Sequence, residues 1–488
     1  MSGPRLLLRR FSLLCLCSCF LYITQAQLAN DSSSFGSSSK RVVTSLPGFD
    51  GRLPFHLETG YVEVDEDYGT ELFYYFIESE AAADEVPFLL WLTGGHRCSV
   101  LSGLAFEIGP IRFVLEPYNG TLPRLRYDHN SWTKLWWGSG VSGDPEGNTQ
   151  HGEWMGFGLR TGWRVSHVLF VDSPVGSGFS FSRHSNGYKV GDLSSSQQLH
   201  EFLIKWFNDH PEYLASPFYI GGDSYAGKII PFLVQKISED IEARRTPLLN
   251  LKGYLVGNPS TGENIDTSSK VPFAHGVGII SDQLYETILG HCHGEDYTNP
   301  ANVLCARALD TFNNLLNEVM QGQILIDKCV LVSPGANSDR TVDESGGRKM
   351  LKEETIRELL NNPPPRPPLN CVSYGYYLSY FWANDRRTRE ALGIKKGSVD
   401  EWVRCRSDDT AYWVDIKSSI KYHRNVTSKG YRALVYSGDH DAVVPHLGTQ
   451  AWVRSLNFSV VDDWRAWHVG GQAAGWVAVS PVTCVFFV

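Results

Sequence analysis

Five short apolar runs recur along the chain: Phe88-Leu89-Leu90-Trp91-Leu92, Val168-Leu169-Phe170-Val171, Phe218-Tyr219-Ile220, Gly253-Tyr254-Leu255-Val256-Gly257 and Ala433-Leu434-Val435-Tyr436. None of the five shows the strict polar alternation of a strand with one wet face, so each reads as a strand buried on both sides. Helical stretches such as Lys228 to Ile237 fall between them. Short buried strands alternating with helices predict an α/β protein with a largely parallel sheet. Between Asn258 and Cys371 the pattern turns helical and polar, as expected of a cap inserted above the sheet. That insertion ends in a charged stretch from Asp339 to Pro368 carrying Pro363-Pro364-Pro365-Arg366-Pro367-Pro368, which predicts an exposed linker.

The N-terminus follows a different rule. Arg5, Arg9 and Arg10 precede an apolar run from Phe11 to Ile23, and Thr24-Gln25-Ala26 offers small residues for cleavage. This is the pattern of a secretory signal peptide over 1–26, too short in its apolar core for a comfortable membrane span. A Ser-rich segment over 27–40 is expected to be disordered. No later segment is apolar enough to cross a bilayer, which predicts a secreted, extracellular or vacuolar protein without a membrane partner after cleavage. Sequons at Asn30, Asn119, Asn425 and Asn457 agree with a glycoprotein of that compartment, whereas Asn258 is followed by proline.

The cysteines sharpen the same expectation. Of ten, Cys15, Cys17 and Cys19 fall in the signal. Setting aside Cys484 near the end leaves Cys98, Cys292, Cys305, Cys329, Cys371 and Cys405, enough for three bridges in an oxidising compartment, with connectivity open. A net charge of −9 over 488 residues, with no long basic run, gives no reason to expect nucleic acid. The cysteines and histidines show no clustered metal-ligand spacing, so neither a metal nor a cofactor is implied.

Candidate chemistry concentrates in Gly222-Asp223-Ser224-Tyr225-Ala226-Gly227, which joins the third apolar run to a helical stretch. A serine at a sharp strand-to-helix turn needs small neighbours, so that a strained backbone can project the hydroxyl from the sheet edge. Read alone, the hexapeptide is as readily a glycine-rich turn with a capping serine.

Three more motifs decide it: Trp91-Leu92-Thr93-Gly94-Gly95, Asp172-Ser173-Pro174-Val175-Gly176-Ser177-Gly178-Phe179-Ser180, and Ser437-Gly438-Asp439-His440-Asp441-Ala442-Val443-Val444-Pro445. With the Ser224 motif, and over about Val42 to Gly475, the chain resembles the plant serine carboxypeptidase-like family. The resemblance implies an α/β-hydrolase fold with a helical cap, the core running over 41–257 and 371–475 and the cap and linker over 258–370. It implies Ser224 as nucleophile, Asp441 as the carboxylate that orients the base, and the backbone N–H groups of Gly95 and Tyr225 as the oxyanion hole.

The resemblance also exposes departures. Family peptidases bind the peptide's terminal carboxylate with an asparagine before the two glycines and a glutamate before the serine; here those positions hold Thr93 and Asp223, beside Gly94. Both changes resemble the acyltransferase branch, which moves an acyl group from a sugar ester to an alcohol or amine. Peptide C-termini or acyl-sugar esters are therefore the expected substrates. His96-Arg97 stands where the family has Pro-Gly, and this predicts a strained, misplaced oxyanion loop. Residues 135–164 form an atypical insertion, read as translated non-coding sequence or a surface loop. The family's catalytic histidine lies beyond segments matched by Asp462-Asp463-Trp464-Arg465 and Gly471-Gln472, yet no histidine follows His468, and 476–488 reads as an atypical tail. His440, His446 and His468 do not match the required place. The sequence thus predicts a truncated family member that is weak or inactive, or else a non-catalytic protein that keeps the acyl pocket. A splice variant or an imperfect gene model accounts for the tail, the insertion and the His96-Arg97 pair together.

Overall fold

The computed structural model describes residues 40–80, 86–134, 166–329, 367–406, 412–469, 471–480 and 483–487. The predicted signal peptide, Asn30, the 135–164 insertion and most of the Pro-rich linker lie outside these.

Twelve strands form one mixed sheet: β1 (Arg41–Val43), β2 (Leu57–Asp65), β3 (Thr70–Ile77), β4 (Phe88–Leu92), β5 (His167–Val171), β6 (Phe181–Ser182), β7 (Phe218–Asp223), β8 (Leu251–Gly257), β9 (Arg432–Ser437), β10 (Asp462–Val469), β11 (Gln472–Val479) and β12 (Thr483–Phe487). Their spatial order is β1-β2-β3-β5-β4-β7-β8-β9-β12-β11-β10, with β6 paired to β3. The run β5-β4-β7-β8-β9-β12 is parallel throughout, and both flanks are antiparallel. This is the mostly parallel α/β sheet that the five apolar runs predict.

Those runs lack polar alternation because both faces are covered. In β4, Phe88, Leu90 and Leu92 join one core while Leu89 and Trp91 join the other. Leu169 and Val171 against Val168 and Phe170 in β5, and Tyr254 and Val256 against Leu255 in β8, divide the same way. The first core is closed by α1 (Asp192–Asp209) and α2 (Ala226–Glu242), through residues such as Leu199, Phe202, Trp206, Ile230 and Leu233. The second is closed in part by Tyr374, Leu378 and Trp382 of a helix over Tyr374–Asn384.

Above the sheet, α3 (Lys270–Gly276), α4 (Asp282–His291) and α5 (Val303–Leu316) build a third cluster around Phe273, Ile288 and Phe312. Ala442, beside Asp441, is buried in that cluster, so the cap grips the loop after β9. The bridges are Cys98–Cys405, Cys292–Cys305 and Cys329–Cys371, which use all six candidate cysteines. Asn119, Asn425 and Asn457 are exposed. No helix among the described residues is long and apolar enough to cross a membrane.

Two expectations need correction. A core that stops at 475, with 476–488 as a separate atypical tail, does not describe the backbone: β11 crosses that boundary unbroken, and β12 is inserted between β9 and β11, with Ala433 opposite Thr483 and Ser437 opposite Phe487. The β-rich composition of the tail lets it continue the sheet wherever a neighbouring backbone is unpaired. The left-handed conformation expected at His96-Arg97 is also not found. Gly95 takes the positive φ, +82°, that the turn requires, while neither His96 nor Arg97 has a positive φ.

Candidate active site

Because β4, β5, β7, β8 and β9 run in parallel, the loops that follow them emerge at one edge, where α/β sheets hold their ligands. The sharpest of these turns is at Ser224. It leaves β7 with φ +53°, a left-handed conformation that costs an L-residue about 1–2 kcal/mol, and α2 begins two residues later. The turn is held by the Ser224 N–H to the Gly257 carbonyl at 2.8 Å and by the Gly227 and Ser260 N–H groups to the Ser224 carbonyl at 3.0 and 2.9 Å. Small neighbours are required for the reason the sequence suggests. A Cβ on Gly222 would lie 2.2 Å from the Leu92 carbonyl oxygen, and one on Gly227 would lie 2.5 Å from Pro259 Cβ.

The loop after β4 closes on this elbow. The Gly94 N–H donates to Asp223 Oδ1 at 2.8 Å, and a Cβ on Gly94 would stand 2.7 Å from Ser224 Cβ. Gly95 follows at once, so Thr93, Gly94, Gly95, Asp223, Ser224 and Tyr225 are brought together. Tyr225 stands directly before the first turn of α2, where unpaired N–H groups and the helix dipole favour negative charge. Among the described residues, neither the Gly95 nor the Tyr225 N–H donates a backbone hydrogen bond.

Asp441 is placed through Asn258, a residue that sequence reasoning passed over. Asn258, at φ +38°, donates from Nδ2 to Ser437 Oγ at 3.2 Å and to the Val444 carbonyl at 3.2 Å, and its Oδ1 accepts from the Gly438 N–H at 3.1 Å. It thereby couples the end of β8 to the loop after β9. Asp441 itself accepts from the Val443 and Val444 N–H groups at 2.6 and 3.3 Å. Burial raises its pKa, while those N–H bonds and the Lys270 ammonium oppose the rise.

A second missed residue is Glu107, at the end of a single π-helical turn over Gly103–Glu107. Its Oε2 accepts from Trp91 Nε1 at 2.7 Å and from the Thr93 hydroxyl at 3.4 Å, while Thr93 Oγ1 accepts from the Gly103 N–H at 3.1 Å. Burial and the nearby Asp223 charge hold the Glu107 carboxyl well above its usual range, and burial raises Asp223 as well. Arg404, stacked 4.1 Å from the Tyr376 ring centroid, moderates both. No motif marks Glu107. Only the fold brings it beneath Thr93.

The histidines are placed as follows. His440 Nδ1 pairs with Asp439 at 2.7 Å, and the His446 ring lies 6.0 Å from that of Phe273. His468 sits on edge strand β10, five strand positions from β7, about 24 Å at the usual spacing. The His96 ring packs against Tyr225 and Tyr412, with centroids 5.1 and 5.0 Å away, and burial beside Arg97 lowers its pKa. No histidine hydrogen bond to Ser224 occurs among the described residues, and none of their His, Cys, Asp and Glu side chains group into a metal site.

A family model described as serine carboxypeptidase matches residues 47–136 and 160–486. Serine carboxypeptidase-like 19 of Arabidopsis thaliana is 41% identical over 442 residues, covering 89% of this chain and 86% of the relative. Serine carboxypeptidase-like 2 of the same plant is 42% identical over 440 residues, covering 90% and 85%. Among solved structures, KEX1(DELTA)P, a prohormone-processing carboxypeptidase from Saccharomyces cerevisiae, superposes with a TM-score of 0.61 at 17% identity, covering 89% of this chain and 86% of that one, which supports the fold. With the strand-turn-helix serine and its glycine loop on one sheet edge, these matches show that the chain belongs to the serine carboxypeptidase family.

Proposed function

We propose that the chain performs serine-dependent acyl transfer with Ser224 as nucleophile, and that the donor is an acyl-sugar ester in preference to a peptide C-terminus. The strained Ser224 turn, with Gly94 packed on it, is the observation that carries the reading. Oγ attacks the acyl carbon as its proton passes to solvent, the sugar hydroxyl leaves with a proton, and water or an acceptor alcohol or amine then takes the acyl group while Oγ regains a proton. The Gly95 and Tyr225 N–H groups face the developing oxyanion, and Asp441 orients an imidazole where one is supplied.

The ester preference is supported by the two positions that depart from the peptidase pattern. Thr93 already donates to Glu107 and accepts from Gly103, and Asp223 Oδ1 is taken by the Gly94 N–H. Both groups are thus already engaged within the site, which leaves them less free to clamp a terminal carboxylate. Three disulfides support passage through an oxidising secretory compartment.

Among the described residues no histidine hydrogen-bonds Ser224, and on this reading acylation is slow. The test is labelling by an alkyl fluorophosphonate, mapped by mass spectrometry, with and without added imidazole. Slow labelling at Ser224 that imidazole accelerates supports the proposal. Fast labelling without imidazole overturns the slow-acylation reading, and absence of labelling in both conditions favours a non-catalytic acyl-binding protein.

A further inference from the structure

Asp192, the first residue of α1, is completely buried and satisfies both carboxylate oxygens with groups from two other segments. Oδ1 accepts from the Tyr225 phenol at 2.6 Å and from the Tyr412 phenol at 2.9 Å. Oδ2 accepts from the Ile416 N–H at 2.9 Å and lies 3.3 Å from the Lys228 ammonium, whose side chain is only 3% exposed. Two of these four donors belong to the turn and first helical turn after Ser224. The other two belong to the 412–416 segment, which pairs with Val190 and Gly191 just before α1.

Burying an ion pair is a poor route to stability alone, since well-packed apolar residues often do as well. What the pair gains here is direction. An oxyanion donor must lie within about 3 Å of the developing charge, and a misplacement of about 1 Å costs on the order of a hundredfold in rate. The Tyr225 main chain that presents such an N–H is continuous with a ring whose far end is tied to Asp192. His96, next to Gly95, packs on the Tyr225 and Tyr412 rings, so both oxyanion amides rest against the same buried node.

We propose that Asp192 is a positioning residue for the oxyanion hole, acting through the Tyr225 phenol. The proposal rests on the Tyr225 N–H serving as an oxyanion donor. It predicts an asymmetry between two conservative changes that each remove one hydrogen bond from the same oxygen: Tyr225→Phe acts on the elbow, whereas Tyr412→Phe acts on the far side of the node.

Two measurements on the full chain test it. In imidazole, the maximal rate of Ser224 labelling should fall about tenfold in Tyr225→Phe, with half-saturation by the fluorophosphonate unchanged, and should fall less in Tyr412→Phe at comparable melting temperature. Amide hydrogen exchange over residues 222–228 should quicken in Tyr225→Phe more than in Tyr412→Phe. Equal effects of the two variants, or unaltered exchange of the elbow in Tyr225→Phe, overturn the proposal. If the parent chain is not labelled at all, the acyl-transfer reading fails on its own, and the exchange comparison still decides the role of Asp192.

Discussion

The Gly94 amide donates to Asp223 Oδ1 at 2.8 Å, joining the loop after β4 to the last residue of the neighbouring strand β7. The same contact brings Gly94 so close to Ser224 that a single methyl group at 94 would lie 2.7 Å from Ser224 Cβ and 2.9 Å from Asp223 Oδ2.

Gly94→Ala should therefore displace the loop that carries the Gly95 N–H. Imidazole-assisted labelling of Ser224 is expected to slow by at least about tenfold, with a loss of about 1–3 kcal/mol from overpacking. Labelling kinetics and urea melts check both, and an unchanged labelling rate would show that the loop can yield without cost.

The left-handed backbone of Ser224 predicts an inversion of the usual ranking of small residues. Ser224→Gly should be more stable than Ser224→Ala by about 1 kcal/mol, because only glycine takes φ +53° freely. Neither variant can be labelled at residue 224. Paired denaturation curves measure the difference.

Asn258 links two loops of the site through its side-chain amide. Asn258→Ala strands the Gly438 N–H and the Val444 carbonyl and places alanine at a positive φ, so a loss of about 1–3 kcal/mol is expected. Asn258→Asp keeps the acceptor for Gly438 and should lose less. Chemical denaturation of both variants separates the hydrogen bonds from the backbone preference.

Glu107 makes stability fall with pH. Its folded-state pKa lies above the ordinary 4.5, mainly through burial and then through the Asp223 charge. The folded chain consequently holds this proton after the unfolded chain has released it. Stability is fully present below the ordinary value and declines as pH rises through the raised one. Glu107→Gln carries no such proton and should flatten the decline between pH 4.5 and about 8. Urea midpoints across that range read it out, and parallel curves for the two chains would remove Glu107 as the cause.

Sequence alone determined the architecture wherever physics is local. Continuous apolar runs read as strands covered on both faces, so the parallel sheet was legible, and the Ser224 elbow became legible once the hexapeptide was set beside the three other motifs. The three bridges were legible only as a set of six cysteines, because pairing depends on which loops meet in space. Glu107, Asn258 and Asp192 carry no local signature. An ordinary acid, an Asn-Pro step and the first residue of a helix acquire their roles only when separate strands deliver them to one edge. The same holds for the last residues. Their composition departs from the motifs before them, yet their backbone completes the sheet between β9 and β11, because strand pairing satisfies main-chain groups whatever the side chains are. The tertiary structure thus decided how Ser224 is held: by a strained turn under Gly94, with the phenol of the next residue, Tyr225, tied to the buried Asp192 carboxylate.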